Sequence, residues 1–229
     1  MKVLLFGATG MVGQGVLREC LLDPDVTAVL AVGRAATGQQ HPKLRDLVHA
    51  DLTNYAPIAA ELAGYDACFF CLGISAAGMT EDAYRHITYD ITLAAAQTLV
   101  RLTPAMTFIY VSGAGTDSTE RGRAMWARVK GATENALLRL PFKGVYMFRP
   151  GLIQPLHGIT SKTKLYRAVY AVTGPLLPVL KAVFPDSITT TEQVGRAMLA
   201  VAKHGASKQV LEMADINALA KATVAAAPA

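Results

Sequence analysis

The chain has 229 residues, with 22 Lys and Arg against 17 Asp and Glu and a formal charge of +5. Hydrophobic residues make up 52% and charged residues 17%, which excludes a disordered chain and provides an ordinary core without staples. Three Cys argue against a disulfide scaffold.

Met1-Lys2 runs straight into an apolar segment, so no cleaved leader is expected and the location expected is cytoplasmic. Val3 to Phe6 reads as a buried strand, and residues 11 to 22 carry helical spacing with Val12, Val16, Leu17 and Leu21 on one face. Val26 to Val32, Leu47 to Ala50 and Asp66 to Leu72 read as strands two to four. Residues 81 to 102 form a long helix. Met106 to Val111 is a fifth strand, residues 122 to 139 a helix, and Gly144 to Phe148 a sixth strand. Alternating strands and helices predict parallel β–α–β units, hence a doubly wound α/β fold of Rossmann type with a mostly parallel sheet.

After Arg149 the pattern changes: residues 150 to 185 hold five Pro and three Gly. A helix over 190 to 204 follows, with Thr190 or Thr191 as N-cap and Gly205 as its stop. A short strand at Val210 to Met213 and an Ala-rich helix complete the chain. The division expected is a nucleotide-binding domain over 1–155, with substrate-side and C-terminal elements over 156–229 packed on it as a small subdomain.

The segment Gly7-Ala8-Thr9-Gly10-Met11-Val12-Gly13 closes the first strand and opens the first helix. In that setting Gly7 permits a tight turn, Gly10 admits a pyrophosphate to the backbone and Gly13 lets helix and strand approach. The helix N-terminus adds free N–H groups and partial positive charge. Gly33-Arg34 follows the second strand, where the adenosine ribose should lie. An Arg there suits a 2′-phosphate and favours NADP(H) over NAD(H); the alternative is a solvated side chain. Asp51-Leu52, after the third strand, fits either the adenine edge or a helix cap. Leu72-Gly73 ends the fourth strand, where small residues let backbone pass a cofactor.

These motifs resemble the short-chain dehydrogenase/reductase superfamily in its atypical or extended, epimerase-like branch. The resemblance rests on Gly7 to Gly13, Asp51-Leu52, Cys71-Leu72-Gly73, Val111-Ser112-Gly113, Lys130-Gly131-Ala132-Thr133-Glu134 and Phe148-Arg149-Pro150-Gly151. Among its branches the chain is similar to the Tat-interacting oxidoreductase-like proteins. The resemblance implies that Ser112 polarises a substrate oxygen, that Lys130 holds the nicotinamide ribose, and that Pro150 and Gly151 border the cofactor. It implies an NADP(H)-dependent oxidoreductase or epimerase-like enzyme acting on a small molecule. It also implies a homodimer through the long helices over 81–102 and 122–139.

One departure is decisive. The family places a Tyr four residues before the Lys, and here that position holds Trp126; no Tyr lies between Tyr110 and Tyr146. An indole N–H donates a hydrogen bond but does not titrate near neutral pH. Either another donor serves, with water, Asp117, His157, Tyr84, His86 and Tyr89 as candidates, or the protein binds NADP(H) as a sensor or regulator without turnover.

Residues 135 to 185 contain no Asp or Glu and seven Lys and Arg. This stretch reads as an attractor for an anionic substrate, as peripheral contact with an anionic membrane, or as an ordinary solvated face. The longest apolar run, 13 residues between Arg167 and Lys181, is interrupted by Gly174, Pro175 and Pro178 and is too short to span a bilayer. Nucleic acid is not expected, since no recognition motif appears. Cys68 and Cys71 lie three apart on a strand and should point to opposite faces, so no metal site is expected.

Overall fold

A computed structural model describes residues 1–159 and 188–225. Seven parallel strands form one sheet in the order β3-β2-β1-β4-β5-β6-β9. They are β1 (Lys2–Phe6), β2 (Ala28–Gly33), β3 (Leu44–Val48), β4 (Ala67–Phe70), β5 (Thr107–Val111), β6 (Gly144–Arg149) and β9 (Val210–Glu212). A second sheet pairs β7 (Leu152–Gln154) with β8 (Ile188–Thr190), also in parallel. The helices are α1 (Met11–Leu22), α2 (Ala59–Leu62), α3 (Glu81–Arg85), α4 (Ile91–Leu102), α5 (Met125–Leu138), α6 (Thr191–His204) and α7 (Met213–Ala225).

The alternation of side chains along β1 explains the layers. Val3 and Leu5 enter one cluster with Val16 and Leu17 of α1 and Met198 and Leu199 of α6. Leu4 and Phe6 enter the opposite cluster with Phe70, Leu93 and Leu99 of α4, Phe108 and Leu137 of α5. Both faces of the sheet are therefore dry, as nearly continuous apolar strands require. Cys68 belongs to the second cluster, while Cys71 packs against the first. The two thiols thus part to opposite faces, and burial pushes both above the usual thiol range. Among the described residues no group of three or more His, Cys, Asp or Glu could hold a metal, and no helix is long and apolar enough to cross a membrane.

Three boundaries differ from the sequence reading. β3 begins at Leu44, three residues before the expected start, because it is an edge strand whose Arg45 and Asp46 mask its pattern. The helix expected over 81–102 is broken by a single π-turn at His86–Asp90. The helix expected from 122 begins at Met125, since the Asp117 side chain accepts from the amides of Arg121 and Gly122 and holds that stretch as a loop. Thr190 caps α6 by accepting from the Gln193 amide at 3.0 Å, and Gly205 ends it at φ 74°. The greater part of the acid-free stretch, with its membrane reading, lies outside the described residues.

Candidate functional site

A cleft of about 1150 Å³ runs along the carboxyl ends of the strands, centred where β1 and β4 lead their connections in opposite directions. This is the crevice in which open α/β sheets bind ligands, and it exceeds the roughly 300–1000 Å³ of most small-molecule pockets. Gly7, Thr9, Gly10, Met11 and Val12 form its floor. Gly7 sits at φ 78°, and a Cβ there would lie 2.6 Å from the Cys71 carbonyl carbon and the Leu72 nitrogen. At Gly10 a Cβ would meet only the Gly7 oxygen, at 3.3 Å, so this residue keeps the floor open toward the cleft. Gly13 does not line the cleft. A Cβ there would fall 2.1 Å from the Gly7 oxygen, so its work is the contact between helix and loop.

The first turn of α1 has no acidic residue and no capping side chain. Its amides and dipole therefore face the cleft uncompensated, the arrangement that suits a pyrophosphate. Arg34, Ala35 and Thr37 line the end beyond β2, and Arg34 is exposed. Asp51 and Leu52 line the same end, with Leu52 buried beneath. Asp51 also accepts from the Thr53 hydroxyl at 2.6 Å and amide at 2.9 Å, which holds its carboxyl below the usual range. The residue thus lines the cleft and makes a turn at once.

The opposite end is built by Leu72 and Gly73 after β4, Ser112 and Gly113 after β5, Lys130 of α5, and Pro150 and Gly151 after β6. Lys130 Nζ donates to the Ser112 carbonyl oxygen. Burial pulls its ammonium down to about 8, against a smaller opposing pull from Glu134. The Ser112 side chain is 4% exposed, and its Oγ lies 2.5 Å from Glu134 Oε1 and 3.2 Å from the Phe148 carbonyl. Glu134, 1% exposed, is in turn gripped by Arg149, which donates Nε to Oε1 at 3.0 Å and Nη2 to Oε2. Arg149 also reaches Ser118 Oγ at 2.6 Å and Glu212 Oε1 at 3.1 Å.

Glu134 escaped the sequence reading as a site residue. The signal was available: it lies four residues after Lys130, on the same face of α5. What could not be read is that the arriving Arg would come from β6.

The structure also sorts the candidate proton donors. Asp117 accepts from Thr119, Arg121 and Gly122, the hydroxyl of Thr119 at 2.6 Å being the main cause of a lowered carboxyl pKa. It is an ionised turn residue outside the cleft lining, and the expectation that it donates a proton is withdrawn. His157 binds Glu192 at 2.8 Å, away from the cleft lining. Tyr84 is buried in the core, and Tyr89 lies under the Arg85 guanidinium at 4.0 Å. His86 does line the cleft, with Nδ1 3.3 Å from Asp90 Oδ2. Trp126 does not line it. Its ring covers Gly115, where a Cβ would fall 3.3 Å from Cη2.

An NAD(P)H-binding family model matches residues 7–137, more than half of the chain. The chain belongs to this NAD(P)H-binding family. It is 30% identical over 159 residues to the protein named fmp52, mitochondrial, of Emericella nidulans, and the alignment covers 66% of each chain. It is 26% identical over 223 residues to fmp52-2, mitochondrial, of Aspergillus oryzae, covering 95% of this chain and 96% of that one. Among solved structures it is similar to the Bordetella bronchiseptica enzyme WbmF in complex with NAD+, with a TM-score of 0.68 and 16% identity. That match covers 99% of this chain and 79% of the other. At that identity the likeness establishes the Rossmann-type α/β fold and nothing finer. The relatives' names carry the word mitochondrial, which overturns the expectation of a cytoplasmic location. Composition and charge carry no feature that separates those compartments.

Proposed function

We propose that this NAD(P)H-binding protein is an NADP(H)-dependent oxidoreductase acting on a small molecule. The observation that carries this reading is the charge layout of the cleft. An uncapped helix N-terminus lies at its centre, Arg34 at the adenosine end, and Lys130 at the nicotinamide end. The glycine positions support the fit, because the cradle at Gly7 and Gly10 is one that side chains would fill. When bound, the dinucleotide supplies hydride chemistry; the chain supplies position, charge and proton handling. Arg34 would meet the 2′-phosphate, the α1 amides the pyrophosphate, and Lys130 the nicotinamide ribose.

Calorimetric titration with NADPH and NADH in parallel tests this. NADPH is expected to bind at least tenfold more tightly, and Arg34→Ala is expected to erase the difference. A charge-assisted contact of about 1.5–3 kcal/mol corresponds to that range. Equal or tighter NADH binding would remove the NADP(H) preference alone.

A second reading has its own support. Trp126 covers Gly115 and leaves the usual acid–base position without a titrating group. On that reading the protein binds the dinucleotide and responds to its redox state without turnover. Saturable binding combined with no dehydrogenase or reductase activity over a broad substrate screen would favour it.

A further inference from the structure

Two side chains of α5, one turn apart, grip the residue that follows β5. Lys130 Nζ donates to the Ser112 carbonyl oxygen, and Glu134 Oε1 accepts from the Ser112 hydroxyl at 2.5 Å. The second acceptor near that hydroxyl, the Phe148 carbonyl at 3.2 Å, is also interior, and Ser112 is 4% exposed. Glu134 is itself fixed. Both of its carboxylate oxygens accept from Arg149, a bidentate pair that sets the plane of the carboxylate as well as its place. Arg149 is held in turn by Ser118 and by Glu212 of the edge strand β9. A line of polar contacts thus runs from that edge to the Lys130 ammonium, and its last member opens on the cleft. Gly113 makes the opening: a Cβ there would stand 3.6 Å from Lys130 Nζ and 3.8 Å from the Pro150 carbonyl oxygen.

We infer that Ser112, Glu134 and Arg149 are positioning residues that fix the Lys130 ammonium for the nicotinamide ribose, and that the Ser112 hydroxyl is a strut of this clamp and not a group that acts on substrate. The inference rests on the dinucleotide reading above. A free lysine carries a point charge on a flexible four-carbon stem, so ordering it during ligand binding costs affinity. Here the folded protein orders it beforehand, and an arriving ribose meets a donor already in place. The clamp also sustains the charge. Burial disfavours the ammonium and Glu134 opposes that effect. Arg149 of β6 and Glu212 of β9 stand behind the carboxylate, and Tyr110 of β5 lies within its field.

The test is calorimetric titration of the full chain with NADPH. It compares the wild type, Ser112→Ala, Glu134→Gln, Lys130→Met and the two double variants that carry Lys130→Met. Lys130→Met is expected to lose about tenfold or more in affinity, and Ser112→Ala and Glu134→Gln about threefold or more each. In the Lys130→Met background neither change lowers affinity further, since both act through the ammonium. A clamp that served stability alone would weaken binding equally with and without Lys130. Wild-type affinity falls as pH rises through about 8, where the ammonium loses its proton, and the fall starts at lower pH in Glu134→Gln. Should Glu134→Gln fail to fold with Arg149 half-paired, Ser112→Ala leaves the ion pair intact and decides alone. Full affinity in Ser112→Ala or Glu134→Gln, losses that add to that of Lys130→Met, or an alkaline fall that stays in place in Glu134→Gln overturns the clamp. Full affinity in Lys130→Met overturns the clamp and the ribose contact and leaves dinucleotide binding standing. No binding of NADPH or NADH to the wild type overturns the dinucleotide reading as well.

Discussion

At the residue scale, the glycine loop and Lys130 make opposite demands on stability. Gly13→Ala would drive a Cβ to 2.1 Å from the Gly7 oxygen, against backbone that cannot rotate away. It is expected to destabilise the protein by at least about 2 kcal/mol and to abolish dinucleotide binding, measured by denaturant unfolding and calorimetry. Lys130 is held as a cation in a place that disfavours charge, and its ammonium is pulled down to about 8. An unfolded chain binds that proton more tightly, so this group's contribution to stability rises with pH from about 8 toward the ordinary Lys value. Lys130→Met should therefore stabilise the ligand-free protein and flatten its stability profile above pH 8, while weakening cofactor binding. Unchanged stability across that range would place the ammonium in solvent. Trp126 makes a third case. Its ring lies on Gly115, so Trp126→Tyr is expected to change carbonyl reduction by less than about tenfold. A gain of 100-fold or more would show that only the phenol was missing.

At the element scale, the decisive contact joins α1 to α6 and so ties the C-terminal part to the phosphate helix. The two helices cross on glycines: a Cβ at Gly15 would lie 2.5 Å from Thr191 Cβ, and one at Gly195 would lie 2.7 Å from Glu19 Cγ. Glu19, buried at this crossing, pairs with Arg18 at 2.5 Å and Arg196 at 3.1 Å. Gly15→Ala is expected to cost about 1–3 kcal/mol, because the opposing Thr191 Cβ belongs to a stiff, branched residue. In a chain of this size that corresponds to a fall in Tm of several degrees, and calorimetric scanning checks it. Neither glycine stood out in the sequence as a contact, because helical spacing marks a face and not the partner pressed against it. The π-turn at His86–Asp90 was illegible for a related reason: it interrupts the helix without Pro or Gly, and it places His86 and Ile87 on the cleft wall.

For the whole molecule, the seven-stranded sheet with its two dry faces carries the crevice at its strand carboxyl ends, and binding there should stabilise the entire fold. NADPH at 100 times its dissociation constant is expected to add about 2.7 kcal/mol, seen as a concentration-dependent rise in Tm. Gly13→Ala should show none. A rise that was equal for phosphate alone would assign the stabilisation to the helix N-terminus and not to the dinucleotide.

The sequence by itself determined the parallel α/β fold, the glycine loop and the cleft-lining stretches after β2, β3, β4, β5 and β6. These follow from local rules: the period of apolar residues and the need for glycine in a left-handed or crowded turn. Tertiary structure alone decided the partners of the Ser112 hydroxyl. That depends on Glu134 from α5 and Arg149 from β6 meeting behind one serine, across separations of 22 and 15 residues that no periodicity encodes. It also decided that Asp117 and His157 are spent elsewhere, because a side chain's partners are set by what the fold brings beside it.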